Sequence, residues 1–465
     1  MRRDGCVLIS RSLILCLLMV LAVLPRSVCS VVGDSSYDML IIGPEVYADE
    51  MRRFIEFKVS QGITARFFSI EFINRSLQGS NIVWKIHEFA ASEYKRSGIK
   101  YLLLVGTYEQ VPAKYVYSPS SEFDVADFNY KPTDWYYGVP DWDDSKVGLL
   151  GGNIPKIAVG RLPVNNKEEL KQVISKIIAV EKDFKCGPIL IFDGLNGAFN
   201  SFLGLFRSDY HYCYISCDNS TSSMLNRILS IEDCSHIVSY THGTPGALWV
   251  RASDGEWKTL MTCEDARNLS KMYGIHYLVA CFAGALDLGN ESLARALITS
   301  PAGPVVVIAS SRVEVFDVQI SLKFWERFSE NGDVGMSFLE ALQSYLCDQT
   351  VFSPKERRFQ KYNLYLSKVI YGDVSWRISK GAENNQFICY AQPDSHFRIS
   401  LKIEAPSQGK FNGKTIVSSS IFLFVLLILY YFLIMRDDEI ASLAASVRCI
   451  TEKEEYVLRR LLHAW

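Results

Sequence analysis

The chain has no surplus of positive charge. Its 49 Lys and Arg face 51 Asp and Glu, giving a formal net charge of −2, and charged residues make up 22% of the total. A nucleic-acid binder would carry a basic excess on one face, so that class of partner is excluded. No CxxC pair is matched by a second CxxC or by spaced histidines, which argues against a structural zinc site. Long low-complexity tracts and solenoid repeats are also missing, which excludes a stacked-repeat array.

Apolar residues are plentiful, at 49% of 465 positions. That is enough for a sizeable core plus a membrane segment, and at about 150 residues per domain there is room for two or three domains. One uncharged run, Leu13 to Leu24, follows Arg2, Arg3 and Arg11 and is closed by Pro25. As a helix it reaches only ~18 Å, short of a bilayer core of ~30 Å. With the small residues at Val28-Cys29-Ser30 it has the layout of a secretory signal peptide over 1–30; an uncleaved N-terminal anchor is the alternative. The second run, Ile416 to Met435, carries no charge, holds Tyr430 and Tyr431 near its end and is followed by Arg436. Its length matches the ~30 Å of a bilayer core, so one transmembrane helix is expected over 415–435. That topology puts 31–414 outside the cell, in a single-pass membrane protein with a cytoplasmic tail over 436–465. Within the tail, Thr451 to Leu462 reads either as an amphipathic helix for a membrane surface or partner, or as a solvated one.

Eight of the 12 cysteines fall on the outward side: Cys186, Cys213, Cys217, Cys234, Cys263, Cys281, Cys347 and Cys389. Disulfides are possible there. If Cys281 is reactive, at least one of the others must stay free or pair between chains.

Along 38–373 short apolar runs alternate with amphipathic stretches. Strands are expected at 38–43, 63–70, 101–105 and 156–159, with helices at 48–61, 83–96 and 167–184, and residues 107–155 as a long ordered loop. The cycle begins afresh after Cys186-Gly187-Pro188, with strands at 189–192, 236–240, 276–280 and 304–309. Strand, helix, strand with short links means parallel sheets covered on both faces. The expected domains are a first α/β unit over 31–187, a second over 188–375 and a small β segment and stalk over 376–414.

Two strands of the second unit run into reactive residues. His236 to Thr241 leads to His242-Gly243, and Gly274 to Ala280 leads to Cys281. Ligands of open parallel sheets bind beyond the carboxyl ends of strands, and neighbouring strands are only ~4.8 Å apart. A thiol and an imidazole placed this way suit nucleophilic catalysis, with the imidazole taking the proton of the thiol. The amides of Gly243 and Cys281 are candidates for stabilising an oxyanion, an effect of ~3–4 kcal/mol per donor. Asp141, Asp143 and Asp144 form an acidic loop that could hold calcium as a structural ion; it lacks EF-hand spacing, and a solvated acidic turn is the alternative. Asn74, Asn219, Asn268 and Asn290 head glycosylation triplets.

Thr241-His242-Gly243 and Ala280-Cys281-Phe282-Ala283-Gly284, each after an apolar strand, resemble the caspase-like cysteine peptidases and within them the gingipain family. Tyr101 to Gly106 with Glu109 to Pro112, Thr133-Asp134-Trp135-Tyr136-Tyr137-Gly138, Ile157 to Pro163, Val305 to Arg312 and Tyr371-Gly372-Asp373 extend the resemblance over about residues 37–375. It implies two side-by-side α/β subdomains of parallel sheet with flanking helices. It also implies Cys281 as nucleophile, His242 as base and acid, and Gly243 with Cys281 as the oxyanion hole. No cofactor is required, and the partners are protein or peptide substrates. The acid that steadies the histidine in some members falls near Asn165, and the acid that selects arginine in some aligns with Ser175. Acyl transfer to an amine and a non-catalytic binding module on the same scaffold are the alternatives to peptide hydrolysis.

Overall fold

The computed structural model describes residues 36–79, 81–119, 129–184, 189–194, 212–216, 234–251, 255–289, 291–314, 318–348 and 358–378. The expected leader, nearly all of the 376–414 segment, the 415–435 helix, the cytoplasmic tail, the triplet at Asn219 and Asn290 itself lie outside these residues. Among the described residues no helix is long and apolar enough to cross a membrane.

The strands in chain order are β1 (Met39–Gly43), β2 (Ala65–Ser69), β3 (Tyr101–Val105), β4 (Lys114–Tyr117), β5 (Tyr130–Thr133), β6 (Ala158–Leu162), β7 (Ile189–Asp193), β8 (Tyr212–Ser216), β9 (His236–Tyr240), β10 (His242–Thr244), β11 (Ala247–Arg251), β12 (Trp257–Thr262), β13 (Met272–Val279), β14 (Gly303–Ser310) and β15 (Lys368–Gly372). The helices are α1 (Ala48–Ser60), α2 (Ile70–Ser76), α3 (Ile82–Ser97), α4 (Lys167–Asp183), α5 (Cys263–Arg267), α6 (Leu293–Thr299), α7 (Val318–Asn331), α8 (Val334–Cys347) and α9 (Arg358–Ser367).

Ten strands form one sheet in the order β2-β1-β3-β6-β15-β14-β13-β9-β7-β8. Every residue of β1, β3, β6, β9, β14 and β15 is buried, which is why these strands read as continuous apolar runs rather than alternating ones. Local signals set the helix ends. Asn81 caps α3 by accepting from Val83 N–H, and Gly98, at φ 66°, ends it in the left-handed region. Asn166 caps α4 in the same way through Glu169 N–H.

The two expected sheets are therefore two halves of one. β2-β1-β3-β6 are mutually parallel, as are β14-β13-β9-β7-β8. Between them lies β15, drawn from far along the chain and antiparallel to β14. Gly372, at φ 103°, lets the chain leave β15 beside β14, where a Cβ would stand 2.0 Å from Val305 O.

Two local features differ from the sequence reading. The supposed loop 107–155 contains the β4–β5 hairpin and two 3-10 turns, Trp135–Gly138 and Asp144–Lys146. Pro132 disguised β5, since proline is tolerated only in such marginal two-stranded pieces. From His242 on, residues for which no element was expected form a separate antiparallel sheet, β10-β11-β12.

Buried ions brace the first half and the end of β15. Arg161 of β6 donates to both carboxylate oxygens of Asp134, at 2.8 and 2.6 Å, and to Gly106 O and Val111 O, at 2.8 Å each. Lys58 of α1 pairs with Glu181 of α4 at 2.7 Å and with Asp373, just past β15, at 2.5 Å. Removing one member of such a pair strands a charge in the interior, at a cost of ~3–5 kcal/mol.

Candidate active site

β9 and β13 are adjacent and parallel, with Tyr240 opposite Val279. His242 and Cys281 each follow two residues later, so the chain delivers both from neighbouring strand ends. The fit is close at Gly243: a Cβ there would lie 2.5 Å from Cys281 O, 2.9 Å from the Ala280 Cβ and 3.2 Å from Cys281 N. Only glycine allows the two backbones this approach.

His242 opens β10, and the Pro245-Gly246 turn joins β10 to β11 with Thr244 opposite Ala247 and His242 opposite Trp249. A two-residue hairpin closes on a hydrogen-bonded pair and the pattern then alternates. The N–H of Gly243, opposite Leu248, is therefore turned away from β11, on the open edge of this small sheet and beside Cys281. No backbone acceptor among the described residues takes the N–H of Cys281.

Cys281 sits in a strained turn. Phe282 has φ 59°, unusual for a residue with a side chain. The turn is held by Phe282 N–H to Arg312 O at 3.1 Å, Gly284 N–H to Ser310 O at 2.9 Å and the Tyr371 hydroxyl to Gly284 O. The thiol is half-buried and lies against Glu314: Glu314 N–H donates to Sγ at 3.3 Å, and Sγ lies 3.6 Å from Glu314 O. Below it, the Glu314 carboxylate meets Lys368 at 2.5 Å and accepts from the Ser310 hydroxyl at 2.9 Å. Burial pushes the Cys281 thiol up, against the opposing pull of Glu314 N–H. Burial, then the Arg251 charge, pushes the His242 imidazole down. Both shifts favour a neutral thiol and a neutral imidazole in the resting enzyme.

Asp287, six positions past Cys281, is closed off by Arg312 at 2.9 and 2.6 Å and by the Tyr115 hydroxyl at 2.9 Å. Burial works to raise the Asp287 carboxyl, but the hydrogen bond and charge of Arg312 hold it low. These contacts bring the β4–β5 hairpin to the segment after β13.

Asn165 is not brought to His242. It follows β6, which stands four strands from β9, or ~19 Å at the usual strand spacing. Its hydrogen bonds are from its N–H to Glu169, at 2.9 Å, and from Gln110 to its carbonyl, at 3.2 Å. Ser175 lies on α4 and binds Arg53 at 3.0 Å. The acidic loop is spread among separate partners: Asp141 to Lys95 at 3.6 Å, Asp143 to Ser145 N–H at 2.9 Å, and Asp144 to Trp142 Nε1 at 2.8 Å. Among the described residues no group of three or more His, Cys, Asp or Glu could hold a metal ion. Glu314, Lys368 and Arg251 were missed by the sequence reading. The available signal was a charge at the edge of an apolar run, in Ser310 to Glu314 and again at Lys368 before Val369-Ile370-Tyr371.

A mostly parallel sheet that delivers a thiol and an imidazole from adjacent strand ends defines the class of an α/β cysteine peptidase. The model of peptidase family C25 matches residues 33–191 and 205–375, and the chain belongs to that family, the gingipain-type cysteine peptidases. The complex of Porphyromonas gingivalis RgpB pro- and mature domains is similar over 73% of this chain and 79% of that one, with a TM-score of 0.54 and 18% identity. The Arg-specific cysteine proteinase gingipain R is similar over 74% and 78%, with a TM-score of 0.54 and 17% identity. A structure described simply as a protease gives a TM-score of 0.57 at 14% identity, over 74% and 78%. No curated protein sequence matches the chain.

Proposed function

We propose that the chain is a membrane-anchored cysteine endopeptidase that cleaves proteins or peptides outside the cell, with Cys281 as nucleophile and His242 as its base. The close approach of the Gly243 backbone to Cys281 carries this reading, because it sets the residue next to the imidazole against the nucleophile. With thiol and imidazole both neutral at rest, proton transfer from Sγ to the His242 ring accompanies attack on the scissile carbonyl. The carbon–sulfur bond forms as the carbonyl π pair moves to oxygen. The Gly243 and Cys281 N–H groups receive that oxyanion. Collapse breaks the peptide C–N bond, and His242 returns its proton to the leaving amine. Water, deprotonated by His242, then adds to the acyl carbon, the carbon–sulfur bond breaks, and the proton on His242 returns to Sγ. No metal or organic cofactor enters this sequence. Anchorage rests on the uncharged run Ile416 to Met435.

The test is peptide cleavage by the detergent-solubilised full chain beside Cys281→Ala, with and without an added amine. Hydrolysis lost in Cys281→Ala supports the reading. Ligated product that appears only with amine points to acyl transfer, and the same turnover in Cys281→Ala sinks the assignment. Anchorage is checked by the protease accessibility of the two chain ends in intact cells.

A further inference from the structure

We propose that Arg251 selects substrates carrying an acidic side chain beside the scissile bond, a specificity that rests on the reading of Cys281 and His242 as the reacting pair. The argument begins with the small sheet. Residues opposite one another across antiparallel strands project to the same face, as do residues two apart along a strand. His242 is opposite Trp249, Trp249 is two residues from Arg251, and Arg251 is opposite Trp257. One face therefore carries His242, Trp249, Arg251 and Trp257. The alternate residues of β11, Leu248 and Val250, are fully buried on the other face.

This face is open. Arg251 is exposed, and Trp257 is 53% exposed. Trp257 meets His242 edge-on with centroids 4.9 Å apart, and the Arg251 guanidinium lies 5.9 Å from the Trp257 ring centre. A substrate residue next to the bond being cut must pass along the imidazole and so along this aromatic and cationic strip. Among the described residues no carboxylate pairs with Arg251, and its Nε donates to Gly255 O at 3.3 Å. A guanidinium left in this state has donors matched to a carboxylate.

The acids near Cys281 do not offer the opposite preference. Asp287 is closed by Arg312 and Tyr115, and Glu314 by Lys368 and Ser310. Ser175, aligned with the acid that selects arginine in some family members, is bound to Arg53 on α4. Neither Asp287 nor Glu314 is thus open to a cationic substrate side chain, while an anionic one meets Arg251.

The test compares matched peptides bearing Asp, Asn or Lys at each position flanking the cut, using the full chain in detergent. Wild type is expected to favour Asp over Asn about tenfold in kcat/KM, an advantage that shrinks as salt rises. Arg251→Ala brings the Asp-to-Asn ratio near one, Arg251→Lys restores part of it and Arg251→Glu turns the preference to Lys. An Asp advantage that survives Arg251→Ala, or a wild type indifferent to charge or favouring Lys, overturns the proposal. Labelling of Cys281 by the same peptides carrying a thiol-reactive electrophile reads the same ratios without turnover. If no peptide is cut and no electrophile labels Cys281, the peptidase assignment falls and this inference with it. Labelling without charge preference removes this inference alone.

Discussion

At each end of β15 the protein buries a lysine against carboxylates. Past its carboxyl end, Asp373 meets Lys58 at 2.5 Å, and Lys58 also holds Glu181. At its amino end, Lys368 meets Glu314 at 2.5 Å. Both are dry, with Lys58, Asp373, Lys368 and Glu314 all nearly inaccessible. The first joins α1 and α4 to the sheet and touches nothing reactive. The second fixes the residue whose backbone N–H rests on Cys281 Sγ. The same interaction serves as a structural clasp in one place and as a platform for the Cys281 thiol in the other.

Paired substitutions test that distinction most strongly. Asp373→Asn and Lys368→Met should each cost ~3–5 kcal/mol, read as a fall in the denaturant midpoint. In the protein that remains folded, only Lys368→Met should change the rate and pH dependence of Cys281 alkylation. An equal change in Asp373→Asn would erase the contrast. Next in size is Gly243→Ala, whose new Cβ would collide with Cys281 O. The backbone shift this forces carries the residue 243 N–H away from the oxyanion position, which should lower kcat by ~10²-fold with little change in alkylation of the thiol by a small reagent. The third concerns pH. Because His242 is pushed below its ordinary value of 6.5, kcat/KM should rise with pH along a limb lying below 6.5 as the imidazole loses its proton. Arg251→Gln removes a repelling charge, which raises the imidazole and moves that limb to higher pH. A limb that moves the other way contradicts the assignment of His242 as base. The smallest expected effect is that of Asn165→Ala, with kcat/KM within about twofold of wild type; a loss near 10²-fold, typical of general acid–base support, would place Asn165 at the histidine after all.

The sequence made the strands legible because both faces of the sheet are covered, so β1, β3, β9 and β14 appear as unbroken apolar runs. It also put Cys281 and His242 just past the ends of such runs, and β13 and β9 are neighbours in the sheet. What it concealed was long-range pairing. Nothing local in Lys368 to Gly372 says that this strand lies between β6 and β14, or that Lys368 will find Glu314. The β10–β12 sheet escaped notice because its inward positions, such as Leu248 and Val250, alternate with Trp249 and Arg251 over strands of only three to six residues. Asn165 is a position matched by linear alignment whose strand, β6, stands four strands from β9.

The late place of β15 in the chain has a consequence for biosynthesis. A ribosome delivers β6, β13 and β14 before the strand that must lie among them, so the sheet waits open along its middle until residues 368–372 emerge. Long-range pairing of this kind is slow to form. Cys281 is made well before Lys368, so the nascent chain carries the thiol without the cation that braces it from below. The order of translation itself thus delays completion of the support beneath the Cys281 thiol until the sheet has closed.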